Sequence, residues 1–252
     1  SDLIIGGQLI QEQTKIGSGS GQDFPGPGLT VTGAGATRNT FEFFQESINA
    51  GLFAQEQLSF NDQFFLTLGG RLDAHSAFGA NFQAQFYPKV SFSWIPSDAG
   101  WWSPVGPISS LQFRGSWGWA GLQPGAFDAL TTYAPAASAS GSAIVPQNLG
   151  NEDLAPEVSK EWEVGFTTGL FNNKANLEFT YWDRVTEDAL FARQFAPSGG
   201  FRSTQLVNLG TLEAHGIEVN VNATIVKKKD LNVELFANGA YLRENVASLG
   251  GA

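Results

Sequence analysis

Few side chains in this chain of 252 residues have the type and spacing that chemistry requires. His75 and His215 are its two histidines, far apart, and there is no cysteine. A zinc site draws several ligands from short, regular spacings, and none exists here. We expect no metal site and read both histidines as loop or strand-end residues. Glu161 and Glu163 lie on one side of an extended segment, like a general acid and base. No nucleophile, base and orienting group accompany them, and no G-x-S-x-G elbow occurs. The expectation is no catalytic residue and no cofactor. The GSGSG run at residues 17–21 lacks the Lys-Ser/Thr ending and following helix of a phosphate cradle, and reads as loop. Glu152 and Asp153, near Asn148 and Asn151, offer oxygens to calcium, but a solvated loop accounts for them more simply. Lys227, Lys228 and Lys229 read as a solvated turn.

The elements that carry these residues alternate with a period of two, which marks β-strands. Trp162, Val164, Phe166 and Leu170 alternate with Glu161, Glu163, Gly165, Thr167 and Gly169. After Asn172-Asn173-Lys174 the pattern restarts, with Leu177, Phe179 and Tyr181 against Asn176, Glu178 and Thr180. Asparagine tolerates the left-handed backbone of a tight hairpin turn. Upstream, Phe64, Leu66, Leu68 and Leu72 oppose Thr67, Arg71 and Asp73. Phe86, Val90, Phe92 and Trp94 oppose Tyr87, Lys89, Ser91 and Ser93, with Pro88 predicting locally weak pairing. Leu111, Phe113, Trp117 and Trp119 oppose Gln112, Arg114 and Ser116. Downstream, Ile217, Val219 and Val221 oppose Glu218, Asn220 and Asn222. The pattern predicts about nine strands and no helix. Residues 1–15 read as a short strand, and residues 17–39 and 121–155 as long loops.

Hydrophobic residues make up 42% of the chain and charged ones 15%, against roughly 25% charged in soluble domains. The net charge of −10 argues against a nucleic-acid partner, which would need a basic surface. No signal peptide and no apolar run of membrane-helix length is present. With no methionine in the chain, the expectation is an internal piece of a longer exported protein.

Alternation suits a soluble barrel, with its apolar face inward, and a membrane barrel, with that face toward lipid. Three features favour the second. The polar face is Asn, Gln, Ser, Thr, Gly and Glu with few lysines, as in a water-filled lumen; Arg71, Asp73, Lys89, Arg114, Glu161, Glu163, Glu178 and Glu218 are its candidate lumen-facing charges. Connections alternate: 61–62, 172–174 and 227–230 are short, while 17–39, 74–81, 121–155 and 195–202 are longer, with 96–110 a long member of the short set. Outer-membrane barrels show this asymmetry. Aromatics gather at strand ends, Trp94, Trp101 and Trp102 at the short turns and Trp117, Trp119 and Trp182 toward the loops, as candidates for the membrane interface.

Residues 151–190 also carry a resemblance. Leu154, Pro156, Glu157, Ser159, Glu163 and Gly165, then Tyr181-Trp182 and Asp188 with Leu190, resemble the late barrel of SusC/RagA-like TonB-dependent outer-membrane transporters. Asn208-Leu209-Gly210 and Gly216-Ile217-Glu218 extend the likeness, with Ala214 where the family often has Asn; it covers roughly residues 41–245. The resemblance implies an all-β antiparallel meander from a 22-stranded barrel with an N-terminal plug, in the bacterial outer membrane. It also implies import of a bulky nutrient such as an oligosaccharide or peptide. The implied partners are outer-membrane lipid, the TonB complex through a plug region outside this sequence, and a SusD-like surface lipoprotein. The whole chain, 1–252, is then one partial barrel domain. A passive porin-like or adhesin barrel and a soluble β-sandwich binding module remain the alternatives. With an odd strand number, the segment is expected to form an open sheet.

Overall fold

The computed structural model describes residues 1–81, 84–201 and 203–250. Its strands are β1 (Asp2–Gln22), β2 (Thr37–Phe60), β3 (Phe64–His75), β4 (Gln85–Trp94), β5 (Ile108–Leu122), β6 (Thr132–Ser138), β7 (Gly141–Asn148), β8 (Glu157–Leu170), β9 (Ala175–Glu187), β10 (Leu190–Arg193), β11 (Gln205–Asn208), β12 (Thr211–Lys228) and β13 (Leu231–Ser248). Nine of them form one antiparallel sheet in the order β1-β2-β3-β4-β5-β8-β9-β12-β13. β6 with β7, and β10 with β11, form two small hairpins inside the long connections. β1 and β13 are the two edges. Among the described residues only three short 3-10 turns interrupt the strands and loops.

Strand neighbours in sequence are neighbours in the sheet, so connections fall alternately at its two ends. The short turns close with left-handed residues: Asn61 and Asp62 in one, Phe171, Asn172 and Asn173 in another. Asparagine and aspartate accept that backbone cheaply, whereas phenylalanine does not. Phe171 is held there because its N–H donates to the Pro107 carbonyl at 2.7 Å and the Asn172 N–H donates to Ser109 Oγ at 2.7 Å.

Two boundaries differ from the sequence reading. Residues 17–22 and 37–39, expected in a loop, continue β1 and β2, so the connection is only 23–36. Their Gly, Ser and Thr side chains carry no apolar alternation, yet the ladder runs on from Gly17 opposite Glu42 to Gln22 opposite Thr37. The GSGSG run is therefore extended strand. Likewise the 121–155 connection holds the β6–β7 hairpin, and β5 runs on to Leu122. Arg202, at the end of the 195–202 loop, lies outside the described residues. At Pro88, which has no N–H to donate, the β4–β5 ladder stops: it runs only from Lys89 to Trp94, while the β3–β4 ladder continues past Pro88 to Gln85.

The register sorts side chains onto two faces. Across the sheet, Leu66, Phe92, Gly115, Val164, Tyr181 and Ile217 stand side by side on one face. Thr67, Ser91, Ser116 and Glu163 do so on the other. Aromatic rings pair across strands on the first face, Trp94 on Phe113 at 5.8 Å, Phe166 on Phe179 at 5.6 Å and Trp162 on Tyr181 at 5.4 Å. No layer covers this face: Leu52, Leu68, Leu72, Phe86 and Val164 are all exposed. The largest fully buried side chains among the described residues, Leu154 and Pro156, sit in the connection before β8 instead.

Candidate functional site

Every one of the eight charges singled out in the sequence lies on the polar face. On β3, Arg71 Nε donates to Asp73 Oδ1 at 2.6 Å, and Arg71 Nη2 reaches Gln8 Oε1 on β1 at 3.0 Å. The guanidinium crosses β2 at Gly51, where a Cβ would collide with both Arg71 and Asp73. Further along, Arg114 of β5 pairs in register with Gly165 of β8. The guanidinium passes over β8 to β9, where Nη1 meets Glu178 Oε1 at 2.6 Å and Nη2 donates to Thr180 Oγ1 at 2.5 Å. Nη1 also donates to Thr167 Oγ1 at 3.1 Å. Two guanidiniums thus each cross a strand at a glycine, Gly51 on β2 and Gly165 on β8.

The remaining charges are looser. Arg184 lies 3.8 Å from Glu161 and over the Trp182 ring at 5.3 Å. Glu163, Glu218 and Lys89 make no ion pair among the described residues. Arg114, Glu161, Glu163, Thr180, Trp182, Arg184 and Glu218 line an open hollow of about 330 Å³. Three carboxylates face two guanidiniums there, a small local excess of negative charge. Nothing in this arrangement pairs a nucleophile with a base. The histidines are not brought together: His75 ends β3, accepting the Ala77 N–H at Nδ1 (3.0 Å), while His215 lies in β12 opposite Asp183 and Arg243. Glu152 and Asp153 sit in the connection before β8, where Asp153 Oδ1 accepts from Asn81 Nδ2 at 2.7 Å.

Of the aromatic residues expected at an interface, Trp94, Trp117 and Trp119 lie on the apolar face, and Trp101 and Trp102 in the connection after β4. Trp182 does not join them. It pairs in register with Glu163 and Gly216, which puts its ring on the charged face, over the bare backbone of Gly216. The Tyr181-Trp182 pair straddles the sheet, and one residue of alternation separates the two roles.

One cluster is built from residues that carry the family resemblance but were given no structural role in the sequence. Asn208, the last residue of β11, accepts the Ala155 N–H at Oδ1 and donates from Nδ2 to the Ala155 and Asp188 carbonyls, at 2.8, 2.8 and 2.9 Å. Glu157 accepts the Leu190 N–H at 3.0 Å, and the Leu154 carbonyl accepts the Gly79 N–H at 2.8 Å. Three loop-side connections are tied together around Leu154. The repeated Asn, Asp and Gly around Leu154, Leu190 and Leu209 were the available signal, because these residues bond backbone locally where regular structure ends.

Comparison with known proteins gives a consistent picture. The family model described as TonB dependent receptor-like, beta-barrel, matches residues 5–251. TonB-dependent receptor P26 of Formosa agariphila is 27% identical over 209 residues, 80% of this chain and 21% of that protein. TonB-dependent receptor SusC of Bacteroides thetaiotaomicron is 25% identical over 226 residues, 86% of this chain and 22% of that protein. The chain thus spans about a fifth of the length of these curated relatives. A structure of the RagAB peptide transporter superposes with a TM-score of 0.88 at 22% identity, covering 98% of this chain and 28% of that one.

Proposed function

Because the chain belongs to the TonB-dependent receptor-like β-barrel family, we propose that residues 1–252 are one partial barrel domain of an outer-membrane importer, with the apolar face toward lipid and the charged face toward the lumen. One observation carries this reading: the uncovered apolar side chains form a band of limited height. On β3 the band runs from Phe64 to Ala74. At ~3.3 Å per residue and a tilt of about 40° that is ~25 Å, the height of the apolar band of outer-membrane barrels. On the same face, toward the loops, the band ends in charge: Lys160 with its partner Glu187, then Asp183 and Glu213. Lys160 also stands over the Trp119 ring at 4.7 Å, an aromatic under a charge at the band's rim.

In this reading the barrel is completed by further strands on both edges. It imports a bulky polar nutrient, an oligosaccharide or a peptide, using TonB and a SusD-like lipoprotein. Likeness to the RagAB peptide transporter supports the peptide. The eight polar-face charges line the path, and Trp94, Trp101, Trp102, Trp117 and Trp119 sit at the membrane boundary.

The test uses the full-length protein in cells. Single cysteines at Leu68, Val90 and Val164 should resist a water-soluble maleimide in the membrane, while cysteines at Ser91, Ser116 and Glu163 should react. Equal labelling of the two sets would overturn the orientation. Uptake of a fluorescent peptide or oligosaccharide should stop when TonB is deleted; uptake that persists would mark a passive porin instead.

A further inference from the structure

Four of the seven lysines of this chain, Lys174, Lys227, Lys228 and Lys229, lie at one place, the short-turn rim beneath β8, β9, β12 and β13. We propose that this rim is a docking site for the headgroups of anionic phospholipids, an inference that rests on the apolar face being lipid-facing.

The two turns form one surface. Lys174 closes the β8–β9 turn, and its carbonyl accepts the Thr224 N–H of β12 at 2.7 Å, which fixes that turn against the end of β12. Past the irregularity between Thr224 and Val226, Lys227 stands opposite Asn232 and Lys228 opposite Leu231. Lys228 therefore shares the side of Leu231, where the apolar band ends, whereas Lys227 is on the polar side and Lys229 is at the tip. All four lysines are exposed and make no ion pair among the described residues. The nearby carboxylates are Asp230 in the turn and Glu234 on the polar side, the latter accepting Asn232 Nδ2 at 2.7 Å. The rim keeps a cationic excess in a chain of net charge −10.

Apolar side chains flank the lysines at this rim. Phe171, Ile225 and Leu231 stand beside the lysines and are 61%, 62% and 53% exposed. At a bilayer boundary both parts are accommodated, the apolar groups in the acyl region and the ammonium groups in the phosphate layer. A lipid carrying net negative charge is favoured over a zwitterionic one, because the latter brings its own cation to the lysines. Each lysine near a charged surface strengthens binding by about fivefold.

The experiment reconstitutes the full-length protein in mixed bilayers of phosphatidylethanolamine and phosphatidylglycerol and counts the lipids it retains by native mass spectrometry. Wild type should retain phosphatidylglycerol in preference. K174Q/K227Q/K228Q/K229Q should lose at least about fivefold of that preference, the matching lysine-to-arginine variant should keep it, and K228Q alone should show a partial loss. A four-glutamine variant with the wild-type preference, or a wild type that retains both lipids equally, overturns the proposal. Failure of the wild type to insert into either bilayer overturns the lipid-facing reading and this site with it. Insertion without preference overturns the site alone.

Discussion

At the scale of single residues, glycine and asparagine carry as much of the design as the charges do. Arg114 crosses β8 at Gly165 to reach β9, and a Cβ there would collide with the Phe179 carbonyl oxygen. Gly165→Ala should therefore cost roughly 1–3 kcal/mol, the range for overpacking a tight site, read as a lower melting temperature of the full-length barrel. Asn208 makes three hydrogen bonds to loop backbone. At about 0.5–1.5 kcal/mol each, Asn208→Ala should lose roughly 2–4 kcal/mol locally, and limited proteolysis should then cut within residues 188–210. Unchanged resistance would show that the clasp is redundant. Glu56 is the exception on the apolar face: it pairs in register with Leu3 and Leu68, in the middle of the band. A carboxylate facing hydrocarbon is destabilising, so Glu56→Leu should raise stability in lipid by about 1 kcal/mol, measured by denaturant unfolding in vesicles. A loss of stability there would indicate that this part of the face meets protein rather than lipid.

At the scale of elements, the loop-side connections act together. Leu154 is fully buried beneath them, within a strip bonded to both the β3–β4 and the β9–β12 connections. Leu154→Ala should cost roughly 2–5 kcal/mol of local stability, as for other buried leucines. Hydrogen exchange should then quicken at Gly79 and Leu190 as well as at Leu154 itself. Acceleration confined to residues 151–157 would mean that the three connections open independently. Pro88 sets a second local limit, since the β4–β5 ladder does not extend beyond it. The seam between these strands is where the sheet is least tied.

At the scale of the whole molecule, two unpaired edges decide what the sheet needs. β1 and β13 each present a free row of N–H and C=O groups, and each such group costs several kcal/mol in hydrocarbon. Both strands are exposed along almost their whole length. Residues 1–252 refolded alone in detergent should therefore give no heat-modifiable, protease-resistant monomer. A compact monomer whose hydrogen-bond ladder closes β1 on β13 would contradict the open sheet. β2, at 24 residues, is far longer than the 9–11 residues a strand needs to cross a bilayer. In the proposed membrane orientation, β2 and β1 project beyond the bilayer on the loop side.

Period-two alternation determined most of this from sequence alone: the strands, the two faces and the side of Glu163 against that of Phe166. The reason is local, because a strand forces successive side chains apart whatever lies beside it. Turn chemistry determined the hairpins at Asn61-Asp62 and Asn172-Asn173 for the same reason. Tertiary structure decided what depends on a neighbour. Residues 17–22 and 37–39 are strand only because each supplies the other's hydrogen bonds, a fact invisible in their composition. Alternation already puts Trp182 on the side of Glu178 and Thr180, but only the register sets its ring over Gly216. Arg114 finds Glu178 across β8, and Asn208 acquires its role only when Ala155, 53 residues away, is folded against it. Pairing across strands is non-local, and only the folded sheet states which residues meet.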